Sequence, residues 1–138
     1  MPSPRFRARD YVRNPDDFAN PTAFRPRWIL PPGGNEAFLW ASVVHHVHAR
    51  SIRRVIDEDD RFRSLRHFCQ ARHLPYKVIV DMLKGTAALR MEVIAGVAFH
   101  LGPASLGVPA EIDRALDQAA NDMGAAPLKG RSFRLLMA

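Results

Sequence analysis

Apolar residues recur at three- and four-residue spacing in five stretches of this chain, and residues that cap or stop helices mark the breaks between them. The first stretch begins at Asn35 or Glu36 and runs to about Ile56, with Leu39, Val43, Val47, Ile52, Val55 and Ile56 forming its stripe. Asn35 suits the N-cap, and Glu36 suits the positive end of the helix dipole. Asp57 to Asp60 break the pattern. The second helix starts at Arg61 or Leu65, with Ser64 as a cap, and ends at Arg72; Leu65, Phe68 and Cys69 face inward. His73-Leu74 makes a turn, and Pro75 takes the first position of the third helix, where its missing N–H costs little. Ile79 and Met82 point inward with Leu74, and Gly85 supplies a left-handed stop after Lys84.

The fourth helix, about Arg90 to His100, places Met91, Ile94, Val97, Ala98 and Leu101 on one face before Gly102-Pro103 ends it. The fifth, Pro109 to Met123, carries Ile112, Leu116, Ala119 and Ala120. The expectation is an all-α, compact helical bundle occupying 35–103, with a C-terminal helix and tail at 104–138. Residues 1–34 read as an irregular N-terminal arm. Pro2, Pro4, Pro15, Pro21, Pro26, Pro31 and Pro32 interrupt any helical period, and Gly33-Gly34 closes the segment. Arg5, Arg7, Arg9, Arg13, Arg25 and Arg27 make this arm basic, with Phe6, Tyr11, Phe18, Phe24 and Trp28 dispersed through it. It reads as a flexible tail with Trp28-Ile29-Leu30 docked on the core, or as an arm reaching a DNA groove.

Composition narrows the class. An apolar content of 47% and a charged content of 25% over 138 residues describe a folded domain rather than a disordered chain. The net charge is +6 and the pI about 10.4, a balance that favours polyanionic partners. Neither a spanning apolar run nor an opening signal peptide is seen, and the single cysteine, Cys69, suits a reducing compartment; a cytoplasmic protein is expected. The distribution of charge says more than its total. Between 61 and 90 the basic residues Arg61, Arg63, Arg66, Arg72, Lys77, Lys84 and Arg90 face one acid, Asp81, while the acidic run Asp57 to Asp60 lies just before them.

That basic segment, from Ser64 to Gly102, resembles the lambda-repressor-like (Cro/repressor, Xre-type) helix-turn-helix family. Phe68-Cys69 stands where the family has a leucine-alanine pair, and His73-Leu74 stands for its glycine–aliphatic turn. Ile79 and Met82 match the buried aliphatics of its recognition helix, Gly85 its terminal glycine, and Leu101-Gly102 its closing pair. His73 in place of the turn glycine, Leu65 in place of a frequent glutamine and Leu83 in place of a frequent glutamate depart from the pattern. The resemblance implies a lambda-repressor-like fold and a sequence-specific regulator of double-stranded DNA, a prokaryotic or phage repressor binding as a homodimer to two half-sites.

With Leu74, Ile79 and Met82 inward, the other face of the third helix offers Tyr76, Lys77, Val80, Asp81 and Lys84. Lys77 suits guanine O6 or N7, Val80 a thymine methyl, Asp81 cytosine N4 or a neighbouring cation, and Tyr76 a phosphate or sugar; these four are the expected base-reading residues. Ser64, Arg66, Arg72, Lys84 and Arg90 are the expected backbone contacts. The fifth helix and the tail Ser132 to Met137 are the candidates for a dimer contact, since both keep apolar residues outside the motif.

Other constellations lead elsewhere. His45 and His48 share a helix face, but no glutamate or cysteine completes a tetrahedral set, so a lightly buried or surface histidine cluster is expected and no metal. Cys69 reads as a small core residue. There is no phosphate-cradling glycine loop and no serine elbow, so neither an enzyme nor a cofactor is expected. The competing reading is a helical protein-interaction module, antitoxin-like or an adaptor, which the apolar content of arm and tail would serve.

Overall fold

The computed structural model describes residues 6–22 and 25–124 and is built from five α-helices: α1 Glu36–Glu58, α2 Leu65–Arg72, α3 Tyr76–Lys84, α4 Met91–Leu101 and α5 Pro109–Asp122. Short 3-10 turns lie at Ala8–Tyr11, Pro15–Asp17 and Pro103–Leu106, and the described residues contain no strand beyond a single bridge between Val12 and Trp28. The all-α expectation holds.

Local chemistry sets the helix ends. The Asn35 side chain accepts the Phe38 N–H, and the Ser64 hydroxyl accepts the His67 N–H, satisfying donors that a helix start leaves open. Pro75 is one residue outside the expected position: it precedes α3 as the cap rather than forming its first residue. α2 ends on His73 in the left-handed region, with φ 57° and ψ 42°, so the histidine in the place of a turn glycine does adopt the conformation a glycine serves. His73→Gly should therefore raise stability by about 0.5–1 kcal/mol, because it relieves that strain against a modest entropic cost. A denaturant midpoint that falls instead would mean the His73 side chain contributes contacts outweighing the strain.

The long helix α1 is the axis of the fold, packed by α5, α3, α2 and the 3-10 turns at Ala8–Tyr11 and Pro103–Leu106. Its buried residues Leu39, Val43, Val47, Ile52 and Ile56 follow the predicted stripe, with Ser42, His45, His46, Ala49 and Ser51 also enclosed, whereas Val55, expected in that stripe, is only half-buried. Phe68 and Cys69 of α2 and Ile79, Met82 and Leu83 of α3 close on it. Burial pushes the Cys69 thiol above its ordinary range, as befits a core residue. In α4 the inward residues are Val93 and Val97, with Ile94 and Leu101 partly buried. Met91, expected on the inner face, points to solvent at 77% exposure. α4 meets the turn closely at Gly96, where an added Cβ would lie 3.1 Å from Leu74 Cδ2.

The reading of residues 1–34 as an arm outside the bundle fails for 6–22, while Trp28 docks on the core as expected and Leu30, expected with it, is 51% exposed. Ala8, Tyr11, Val12, Phe18, Ala19 and Trp28 all belong to the core. The Arg9 N–H donates to the Gly85 carbonyl at the end of α3, the Arg13 N–H to the Arg27 carbonyl, the Ile29 N–H to the Tyr11 carbonyl and the Trp28 N–H to Asp122 Oδ2 of α5. The prolines do prevent a helix here, but the chain satisfies its backbone through these long-range bonds and buries its aromatic side chains. Arg5 and Phe24 of that arm, and the tail Ser132 to Met137, lie outside the described residues.

Candidate nucleic-acid interface

α2 and α3 follow each other across the turn His73-Leu74-Pro75, and the Leu74 N–H donates back to the Cys69 carbonyl to fix the change of direction. Inward, α3 is held at its C-terminal end. His45 Nε2 donates to the Met82 carbonyl at 2.7 Å, and the Arg9 N–H reaches Gly85 at 3.2 Å. Ile79, Met82 and Leu83 fill the space beneath it. Its outward side is therefore presented on a fixed rod.

Lys77, in the first turn of α3, is the most open of the expected base-reading residues, with 90% of its side chain exposed. Its ammonium lies 3.9 Å from Asp81 Oδ2 one turn on, so Asp81 is paired with a lysine and remains reachable from solvent. Such an exposed pair contributes little to stability and exchanges readily for another partner. Tyr76 and Val80 are half-buried. The Arg66 guanidinium from α2 stacks over the Tyr76 ring, 4.4 Å from its centroid, joining a predicted backbone contact to a predicted base contact. No side chain caps the start of α3, leaving its first N–H groups open.

The remaining predicted contacts divide. Arg66 and Lys84 are exposed and make no ion pair with a described residue. Ser64 is exposed, and its hydroxyl oxygen is engaged as the α2 cap. Arg72 turns toward Phe62, its carbon centre 5.4 Å from the ring centroid, and its Nε is buried without a hydrogen-bond partner. Arg90, at the start of α4, pairs with Glu92. The structure thus pairs Arg66 with Tyr76 and Lys77 with Asp81, leaves Lys84 open, and diverts Arg72 and Arg90 to local partners. Arg61 is likewise committed: it clamps Asp59, whose carboxyl its hydrogen bonds hold at about 2.

The histidines differ from a surface cluster. His45 and His46 are buried in the core, and burial lowers both below the usual imidazole range, His46 to about 3. Neutral His46 accepts the Ala19 N–H at Nδ1, at 2.8 Å. His48 turns to a third element, its Nδ1 donating to the Leu106 carbonyl at 2.6 Å. Among the described residues no group of three His, Cys, Asp or Glu could hold a metal ion, and no helix is long and apolar enough to cross a membrane.

Sequence reasoning missed the clamp on the end of α3 made by residues 9–18. The dispersed aromatics Tyr11, Phe18 and Trp28 were its only signal, since linkers have little use for large apolar side chains. It also missed the arginine-lined cavity between α1 and α5. No protein-family model, curated protein or solved structure matches this chain.

Proposed function

We propose that this chain is a sequence-specific double-stranded DNA-binding transcriptional regulator, a prokaryotic or phage repressor of the cytoplasm, that reads the major groove with α3 through a helix-turn-helix. The observation that carries this reading is the surface joining α2 to α3: the exposed Lys77, the Arg66–Tyr76 stack and the open Lys84 lie on two consecutive helices whose other sides are fixed in the core. A rod held from behind, with cations and uncapped N–H groups in front, suits a groove flanked by phosphates. Lys77 and Tyr76 are the leading base contacts, with Val80 and Asp81 behind them. Arg66, Lys84 and Ser64 serve the backbone, ahead of Arg72 and Arg90, which would first have to leave Phe62 and Glu92.

Lys77→Ala should lower affinity for a selected site by about 1–3 kcal/mol and flatten the preference at one base pair. Arg66→Ala should weaken binding to every sequence and reduce the salt slope by about 0.9. Gel shifts of both variants over a salt series check this; unchanged affinity in both removes the surface from the interface.

One helix-turn-helix reads few base pairs, so the reading includes a homodimer on two half-sites. The apolar residues of α5 turn inward, with Ala119 and Ala120 buried, so α5 offers little to a second copy. α4 offers more: Met91, Ala95 and Phe99 are exposed one turn apart along it, Phe99 at 84%. The same stripe favours the second reading, a helical protein-interaction module with DNA contact secondary or absent. The salt series separates the two: that module shows no retention of DNA even at low salt.

A further inference from the structure

A cavity of about 380 Å³ lies between α1, α5 and the chain at Arg25–Trp28, away from the α2–α3 surface. That volume is at the small end of the range for ligand pockets, about 300–1,000 Å³. Trp28, Pro26, Val47 and Ala115 give it an apolar wall. The polar part is rich in donors. Arg50 from α1 and Arg114 from α5 both line it, and neither makes an ion pair with a described residue. Arg50 Nε is buried and has no hydrogen-bond partner.

His46, also in the lining, uses Nδ1 to accept the Ala19 N–H, so its ring proton resides on Nε2 and adds another donor. Of the lining carboxylates, Glu111 is already divided: one oxygen is 3.8 Å from Arg54 and the other accepts the Val108 N–H. Three arginines, Arg25, Arg50 and Arg114, thus line the cavity against two carboxylates, Glu111 and Asp117, and a flat apolar wall stands beside them. Water would serve the donors but not the wall.

We propose that this cavity binds a small planar organic acid, its carboxylate held by Arg50 and Arg114 and its hydrocarbon body laid against Trp28 and Val47. Guanidinium groups match a carboxylate bidentately, which a point charge cannot do. The ligand would tie together α1, α5 and the chain at Trp28, whose N–H already binds Asp122. The site is independent of whether α3 contacts DNA.

The test is a titration of the full chain with benzoate and with cinnamate, followed by two-dimensional amide NMR, with benzamide and inorganic phosphate as comparators. At least one of the two acids should give saturable shifts at the Trp28 indole and at Ala115, with Kd below about 1 mM. Benzamide, lacking the charge, and phosphate, lacking the apolar body, should each bind at least about tenfold more weakly. Arg114→Ala, at an exposed position, and Arg50→Gln should each weaken the acid by about tenfold. Absence of saturable shifts with both acids at about 10 mM overturns the proposal. So does equal binding of either comparator, or undiminished binding in a folded Arg114→Ala protein.

Discussion

Gly85→Ala should cost about 2–4 kcal/mol of unfolding free energy, several times the loss at an ordinary surface position. Gly85 closes α3 at φ 75°, a region where any residue with a Cβ is strained by about 1–2 kcal/mol. Steric crowding adds to this. An added Cβ would lie 2.6 Å from Phe18 Cε1, 2.8 Å from Phe18 Cδ1 and 3.0 Å from the Arg9 backbone nitrogen. The Phe18 ring has little freedom to retreat, since it is buried and set edge-on against His45 and His46, with centroids 5.2 and 5.6 Å away. Arg9 is fixed by its own N–H bond to Gly85. Gly33→Ala is the control: its φ is 76°, but nothing lies within 4 Å of the new Cβ, so only the backbone cost of about 1 kcal/mol should appear. Denaturant unfolding of the two variants checks the difference. Equal losses would mean that the segment around Phe18 is not packed against α3.

The second large effect is on acid stability. His46 has a folded-state pKa of about 3 against an ordinary 6.5, chiefly because burial disfavours its charged form, with Arg50 and His45 adding repulsion. The folded protein thus binds fewer protons than the unfolded chain below 6.5. Stability is fully present above that value and falls as the pH drops toward about 3. By about pH 5 His46 alone should remove about 2 kcal/mol. His45, lowered first by burial against the raising effect of its Met82 bond, adds in the same direction. Asp59 adds to this loss only at the acid end, as the pH falls through the ordinary 3.8, where the unfolded chain takes up the proton before the folded one.

Protonation also has a structural cost, since His46 Nδ1 cannot accept the Ala19 N–H once it carries a proton. His46→Asn keeps an acceptor near Nδ1 and removes the titration. It should lower stability at neutral pH, through lost ring contacts with Trp28 and Phe18, yet flatten the dependence between about pH 7 and 5. An identical slope in the two proteins would place the acid sensitivity elsewhere.

The helices were legible because their ends are decided locally. Asn35 and Ser64 accept from N–H groups three residues on, and Gly85 and Gly102 stop helices at positive φ. What lay outside the sequence was whatever depends on distant partners. The interiors of His45 and His46 are created by Met82 and Ala19, 37 and 27 residues away, and no periodicity encodes such pairings. The face of α4 shows the same limit. Met91 and Val93 are both apolar, both fit a helical stripe, and only the placement of the neighbouring elements buries Val93 and exposes Met91. In the α2–α3 surface, Lys77 was legible as an outward residue from the inward Ile79 and Met82. The turning of Arg72 to Phe62 was not, because an arginine stem can follow either course from the same backbone.

The bonds from Arg9 to Gly85 and from Trp28 to Asp122 have a practical corollary. They stitch the first described residues to the far ends of α3 and α5, so no seam runs through the protein at Gly34. A fragment excised there to isolate the helices would bare the pocket that Tyr11, Phe18 and Trp28 fill, and would be expected to aggregate rather than fold.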